Sequence, residues 1–123
     1  MGSVDLPQPQ DLESLGVKRD ATRGNLDVLL LRILSAGPAH GYAVISALKQ
    51  RSEGLFDLPE GTVYPSLHRL EDAGLVASDW DSGSGRRRRV YRLTNVGEAS
   101  LSQGQRDWQR FAAGMRAVLE AGT

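Results

Sequence analysis

An arginine run, Arg86–Arg89, follows a Ser/Gly-rich stretch in the second half of the chain. Arg92 adds a fifth cation, and no Asp or Glu occurs between Ser82 and Leu93, so the sequence predicts an uncompensated positive patch. Guanidinium groups stay charged and present a planar fork of N–H donors that matches phosphate. In most proteins a run of like charges is only a hydrated turn. Because the formal net charge of this chain is +0, any attraction to nucleic acid must come from such a local cluster.

A second polar set follows helical spacing in the segment TVYPSLHRLEDAG, residues 62–74. One side of this predicted helix is apolar and is formed by Val63, Leu67 and Leu70. The opposite side is predicted to carry Thr62, Pro65, Ser66 and Arg69. Hydroxyl and guanidinium groups can bond base edges or phosphates in a major groove, and a proline ring can contact a thymine methyl group. An ordinary solvated helix face would have a similar composition, so this face indicates DNA binding only in combination with the arginine run.

Tyrosines and histidines lie beside these groups. Tyr42 stands at the start of a predicted helix, where a phenol next to free backbone N–H groups could hold a phosphate, or could equally pack in the core. Tyr64 presents the same two alternatives, a phosphate contact or a place at the rim of the core. We interpret His40 as a capping or packing residue and His68 as a surface residue rather than a ligand.

Three helices are predicted in the first part of the chain. The first, in LDVLLLRILSAGP, is apolar on most faces, with Asn25 as its N-cap and Gly37-Pro38 as its stop. A helix this apolar must be enclosed by other elements. The second lies in HGYAVISALKQRS and has an apolar stripe on one side. In the third, Thr62 is the predicted N-cap, which places Pro65 in the first turn, where its missing N–H costs little.

The periodicity then changes from helix to strand. Gly74 ends the third helix, and residues 75–80 and 89–93 are short strand candidates that DSGSGRR joins into a β-hairpin. Thr94 opens a long last helix. This order is typical of a winged helix-turn-helix in which the hairpin is the wing and carries the arginines. We therefore expect a mainly α (α+β) fold, a winged helix-turn-helix with a two-stranded wing and a long C-terminal dimerisation helix.

The last predicted helix has an apolar seam with helix-pairing spacing. Its members are Leu101, Trp108, Phe111, Met115 and Val118. A lone helix cannot bury this seam, which must cover its own domain or pair with a second copy of the chain. Trp108 and Phe111 fit plain interface packing, which we favour, or a pocket for a small, flat aromatic effector at the subunit boundary.

The 123-residue chain is predicted to hold a flexible tail at 1–22, a winged helix-turn-helix domain at 23–94 and a dimerisation helix at 95–121. The absence of cysteine excludes disulfides and thiol chemistry. No apolar run reaches the length of a membrane span and no secretory signal pattern is visible, so we expect a cytoplasmic protein without a membrane partner. The two histidines lie far apart, and no Gly-rich phosphate loop follows a strand. We therefore expect no enzyme, no cofactor and no metal site.

Three segments together resemble the PadR family of bacterial transcriptional regulators. They are GNLDVLLLRILSAGPAHGYAVISAL, LPEGTVYPSLHRLEDAGLV and RRRRVYRLTNVGEASL. The motifs HGY, EGTVYPSLHRLE, GLV and YRLT stand in the order and spacing of that family, and DWQRFAAGMRAVL resembles its short-tailed members, which have a single helix after the winged domain. The resemblance implies a homodimer that binds palindromic double-stranded operator DNA, usually as a repressor, and releases it when a small molecule or another signal alters the dimer.

By position, the resemblance places the DNA contacts on three elements. The second helix contributes Tyr42, the recognition helix Thr62, Tyr64, Pro65, Ser66 and Arg69, and the wing Arg86, Arg87, Arg88 and Arg89. We expect helix 62–73 to enter the major groove and the wing to lie on the backbone or in the minor groove. The alternative function is a winged-helix module that binds an acidic partner protein through the same surface.

Overall fold

The computed structural model describes residues 21–81, 83, 85 and 87–122, which form four helices and a small antiparallel sheet. In chain order the elements are α1 (Ala21–Leu34), β1 (Ala39–His40), α2 (Gly41–Arg51), α3 (Glu60–Asp72), β2 (Val76–Asp81), β3 (Arg88–Leu93) and α4 (Asn95–Leu119). The strand order is β1-β3-β2. The predicted mainly α fold with a wing and a long last helix is confirmed.

Helix α1 lies at the centre of the hydrophobic core and packs against α2, α3, β3 and α4. Its buried side chains are Leu26, Leu30, Leu31, Ile33 and Leu34. The helix begins at Ala21, so the prediction that Asn25 caps it is wrong. The segment ATRG before Asn25 contains no proline, and its backbone continues the helix upstream. The helix ends at Leu34, and Gly37 takes a φ of 144° in the turn that follows, a conformation that suits glycine alone.

Helices α2 and α3 form the helix-turn-helix, and each packs against α1 through a short apolar stripe. In α2 the fully buried members are Val44 and Leu48. In α3 they include Val63, Leu67 and Leu70, which confirms the predicted core face of that helix. The helical period of these residues therefore predicts correctly which side of each helix is buried.

The start of α3 differs from the prediction. The helix begins at Glu60 and Pro59 occupies the N-cap position, so the prediction of Thr62 as N-cap is wrong. Pro65 consequently lies inside the helix rather than in its first turn. Because proline has no N–H, the carbonyl of Gly61 receives no helical hydrogen bond from it. Gly61 is exposed, so this carbonyl faces solvent rather than the core.

The end of α3 is a Schellman turn, as Gly74 predicted. Gly74 has a φ of 79°, and its N–H donates to the carbonyl of Glu71 at 3.0 Å. The N–H of Leu75 reaches back to the carbonyl of Leu70, also at 3.0 Å. This turn reverses the chain directly into β2, so the wing starts at a fixed place relative to α3.

The wing is an antiparallel hairpin whose strands pair from Val76↔Leu93 at its base to Asp81↔Arg88 near its tip. The hairpin confirms the prediction, with strand limits one residue from those expected. Strand β1 adds a third member that the sequence did not predict, because a two-residue strand has no visible period. It pairs Ala39 with Tyr91 and His40 with Val90, and so attaches the wing to the start of α2.

Helix α4 is capped by Thr94, whose side-chain oxygen accepts from the N–H of Gly97 at 3.0 Å, as predicted. The same hydroxyl donates to the carbonyl of Gly74 at 2.7 Å, which joins the start of α4 to the end of α3. A Cβ on Gly104 would lie 2.6 Å from a methyl group of Val28, so α1 and α4 approach closely there. Within the described part of the chain, no helix is long and apolar enough to span a membrane.

We predict that Gly97→Ala destabilises the fold, because the added Cβ would overlap the backbone carbonyl oxygen of Leu75. Overpacking of this kind costs about 1–3 kcal/mol. Gly114→Ala is the matched control, since Gly114 lies in the same helix with no neighbour that a Cβ would touch. The control should be neutral or stabilising by up to about 1 kcal/mol. Urea unfolding of both variants checks this, and equal stabilities would contradict the close packing at Gly97.

Candidate nucleic-acid interface

The exposed face of α3 differs in two residues from the face that the sequence predicted. Thr62 and Pro65 are exposed, as expected, and His68 lies on the same side as a surface residue. Ser66 is buried, and its hydroxyl donates to the carbonyl of Thr62 at 3.0 Å within the helix. The prediction that Ser66 faces outward is therefore wrong. A serine bonded to the carbonyl four residues before it has its hydroxyl satisfied locally.

Arg69 turns its guanidinium toward α1, where Nη2 forms a hydrogen bond and ion pair with Asp27. Both side chains are partly buried. Arg69 was predicted on the polar face of α3; it is partly exposed there, and a carboxylate 42 residues earlier in the chain accepts one of its donors. The pair connects the recognition helix to the central helix of the core.

Tyr42 and Tyr64 have different environments, which the sequence had left open. Tyr42 is 64% exposed at the first turn of α2, so it is not a core aromatic. Tyr64 is half-buried, and its ring lies against Gly41, where a Cβ would come within 2.5–2.7 Å of it. Burial raises the pKa of the Tyr64 hydroxyl, and the nearby Glu60 and Tyr42 raise it further. The phenol therefore stays protonated at neutral pH and can donate a hydrogen bond.

His40 packs at the junction between β1 and the wing. Its Nε2 lies 3.7 Å from a carboxylate oxygen of Asp81, and its Nδ1 is buried without a hydrogen-bond partner among the described residues. Its side chain does not cap α2, so of the two predicted roles the structure favours packing. In the described residues no group of three or more His, Asp or Glu could hold a metal ion.

The wing divides its arginines between two faces. The guanidiniums of Arg87 and Arg89 lie over the ring of Trp80, 4.6 and 4.7 Å from its centroid. On the other face Arg88 is the register partner of Asp81, and Arg92 lies 3.6 Å from a carboxylate oxygen of Asp79 (Nε to Oδ2). Arg86 lies outside the described residues.

The prediction of an uncompensated patch is therefore wrong for one of these faces. Asp79 and Asp81 precede the loop in sequence, but the hairpin brings them beside the arginines of β3. Sequence reasoning also missed Trp80. The available signal was the alternation of strand residues, which places Trp80 opposite Arg89 once the hairpin register is known.

The base of the wing is tied to α3 by two polar contacts. Ser78 on β2 donates from its hydroxyl to a carboxylate oxygen of Glu71 on α3 at 2.5 Å. The same hydroxyl accepts from Nε of Arg89 at 2.9 Å. Arg89 is thereby held both by this contact and by the Trp80 ring, and the arginine-bearing face keeps a defined position next to the recognition helix.

The apolar seam of α4 has two parts. Leu101 is buried in its own domain. Farther along, the seam is exposed at Trp108, Phe111, Met115 and Val118, and Leu119 beside it is exposed as well. Trp108 and Phe111 are near neighbours, with ring centroids 6.2 Å apart and planes inclined by 31°. The described residues of a single chain leave this outer part of the seam uncovered.

Helices α1, α2 and α3, packed together and followed by the antiparallel wing, define a winged helix-turn-helix. Comparison with known structures agrees. A PadR family transcriptional regulator from Eggerthella lenta matches with a TM-score of 0.73 at 34% identity, over 92% of this chain and 96% of that one. A PadR family regulator from hypervirulent Clostridium difficile matches with a TM-score of 0.65 at 34% identity, over 76% of this chain and 96% of that one.

Sequence comparison gives the family. The Transcriptional regulator PadR-like family matches residues 30–103. The transcriptional regulator Rv3488 of Mycobacterium tuberculosis is 33% identical over 94 residues, which span 76% of this chain and 85% of that protein. The chain belongs to the PadR-like family of transcriptional regulators, whose members bind DNA and are generally dimeric. The family and these relatives are regulators rather than enzymes, as the sequence predicted.

Proposed function

We propose that this protein is a homodimeric repressor that binds a palindromic operator in double-stranded DNA. Helix α3 enters the major groove with Thr62 and Pro65 at its exposed face. Tyr42 holds a backbone phosphate from the start of α2. The wing places Arg87 and Arg89 along the backbone or in the adjacent minor groove, where the negative potential favours arginine.

The observation that carries this proposal is the pairing of an uncovered recognition-helix face with an arginine-bearing wing fixed beside it. Thr62 and Pro65 are exposed, while Ser78 links the wing to α3 through Glu71. Two surfaces of this kind, held at a set separation, can occupy neighbouring grooves of one duplex.

Three of the predicted DNA-contact residues have structural roles in this proposal, either in place of a DNA contact or in addition to it. Ser66 supports α3 from inside the helix, and Arg69 holds α3 against α1 through Asp27, with its remaining N–H groups available for phosphate. Tyr64 packs its ring against Gly41, next to Tyr42 in the chain, and can donate its own hydroxyl. These assignments leave direct base reading to the N-terminal half of α3.

The dimer is proposed to form through the outer part of the α4 seam. Its aromatic members are about half exposed, Trp108 at 53% and Phe111 at 56%, and Val118 is exposed at 78%. An apolar stripe at helix-pairing spacing gains most from a second copy of itself, because a two-fold axis brings identical stripes together. Pairing also sets two recognition helices about one DNA turn apart, as a palindromic site requires.

The DNA-binding proposal predicts a protected palindrome in a footprint of DNA upstream of the gene, with a steep salt dependence. If each protomer neutralises about two to four phosphates, the log–log slope of affinity against salt should lie between about −4 and −7. Thr62→Ala should relax selectivity at particular base pairs, while Arg87→Gln should weaken all duplexes alike.

Arg92→Gln is the matched control for Arg87→Gln, since it removes the same charge from the face that Asp79 occupies. We expect it to weaken binding less than Arg87→Gln does. A flat salt response, or binding that appears only at very low salt, would contradict the operator proposal and support the alternative of a module that binds an acidic protein.

The dimer proposal predicts that Phe111→Asp yields monomers. Because Phe111 is about half exposed in one chain, the two phenylalanines of a dimer would each contribute about 1–1.5 kcal/mol on pairing, so their loss should weaken dimerisation by about thirtyfold or more. Gln109→Asp adds the same charge at an exposed position of α4 off the seam and should leave the dimer intact. Sedimentation velocity measures both variants. A dimer that tolerates Phe111→Asp as well as the control would place the interface elsewhere.

We further propose that a small, flat aromatic compound releases the repressor by binding beside the α4 seam. A shallow, open depression lined by Asp107, Arg110 and Phe111 lies on the surface of α4, and Phe111 neighbours Trp108. An effector there would act through different affinities for two arrangements of the dimer. In a Trp80→Phe variant, where Trp108 is the remaining tryptophan, planar compounds should quench the emission and lower operator affinity. An unchanged spectrum across a broad panel would leave Trp108 and Phe111 as interface packing.

A further inference from the structure

A cluster on the wing combines one exposed aromatic side chain with two arginines. It consists of Trp80 on β2 with Arg87 and Arg89, whose guanidinium carbons lie 4.6 and 4.7 Å from the indole centroid. Trp80 is directly opposite Arg89 in the hairpin register. More than half of its surface is exposed, so a large aromatic side chain lies at the surface beside two cations. We call these three residues the indole cluster.

Stacking on a ring uses a guanidinium differently from an ion pair. The attraction comes from the face of the guanidinium plane, and the N–H donors point outward from its edge. A carboxylate binds that edge instead and occupies the donors. An arginine held on an indole is therefore restricted in its motion while its hydrogen-bonding edge stays available to phosphate.

The opposite face of the wing provides a comparison within the same hairpin. There Arg92 lies beside Asp79, and Arg88 is paired in register with Asp81. Those carboxylates compensate the positive charge of their face. Among the described residues, no carboxylate contacts Arg87. Arg89 donates from Nε to Ser78, whose hydroxyl in turn donates to Glu71, so a carboxylate lies near this arginine while its terminal nitrogens remain available. On the face of the wing that carries the indole cluster, the guanidinium groups are therefore held in place while some of their N–H donors remain available for phosphate.

We infer that Trp80 is a positioning residue for DNA binding, which holds Arg87 and Arg89 as a preformed pair of phosphate ligands. The inference rests on the proposed function, because it requires a duplex to meet this face of the wing. The indole reduces the repulsion between the two neighbouring cations and limits their rotamers before binding. Less conformational freedom is then lost when the wing meets the sugar–phosphate backbone.

The test compares operator affinity at fixed salt for the full-length wild type, Trp80→Phe, Trp80→Leu, Arg87→Gln/Arg89→Gln, and the triple variant that adds Trp80→Leu to that pair. Trp80→Leu keeps an apolar side chain but removes the ring, and should weaken binding roughly five- to thirtyfold. Trp80→Phe keeps a π face and should lose about threefold or less. The triple variant should bind as the double arginine variant does, since Trp80 acts through those arginines.

Two results would overturn the inference while the wild type still binds its operator. One is equal affinity of wild type and Trp80→Leu. The other is a further loss in the triple variant as large as Trp80→Leu causes alone, which would mean that the indole contacts DNA itself. Circular dichroism and thermal unfolding establish that each variant is folded, and Trp80→Gln replaces Trp80→Leu if the latter is not. A wild type that binds no duplex would instead overturn the proposed function, and the inference with it.

Discussion

Burial of helix α1 is the constraint on which the rest of the structure depends. Leu30, Leu31 and Leu34 are almost fully buried on one side of the helix, and Val28 and Leu29 on its other sides are partly buried against the same core. Such a helix is stable only when other elements enclose it, and α2, α3, β3 and α4 do so here. The orientation of α3 follows from this packing, because its apolar stripe is buried in the core that surrounds α1. The Arg69–Asp27 pair joins the same two helices at the edge of that contact.

The helix and the wing behave as one unit because short polar links cross every junction between them. Gly74 turns α3 into β2, Thr94 joins the end of α3 to the start of α4, and Ser78 joins Glu71 to Arg89. None of these links is strong alone, since a typical hydrogen bond contributes about 1 kcal/mol. Together they remove the freedom that a two-stranded hairpin would have by itself. The exposed face of α3 and the wing therefore keep a fixed position relative to each other.

Sequence reasoning was accurate where a residue's role depends on its neighbours along the chain. The Gly74 stop, the Thr94 cap and the core stripe of α3 are local features with known periods or conformations, and the structure confirms them. It was inaccurate where a distant group decides. The partner of Arg69 lies 42 residues away, and the Asp residues that face the wing arginines become neighbours only through the hairpin register. Ser66 was misplaced because a hydroxyl at the edge of a helix face can turn back to its own backbone.

The connection between β3 and α4 has a mechanical consequence. Only Thr94 separates the last wing strand from a helix of 25 residues, and Gly97 fits tightly against Leu75 at that point. At 1.5 Å per residue, the helix is a rod about 38 Å long that is anchored at its first turn. A tilt of about 5° there displaces its far end by roughly 3 Å, and a displacement imposed at the far end rotates the domain by the same angle. In the dimer proposed above, small adjustments between two such rods would change the spacing and pitch of the surfaces at their bases.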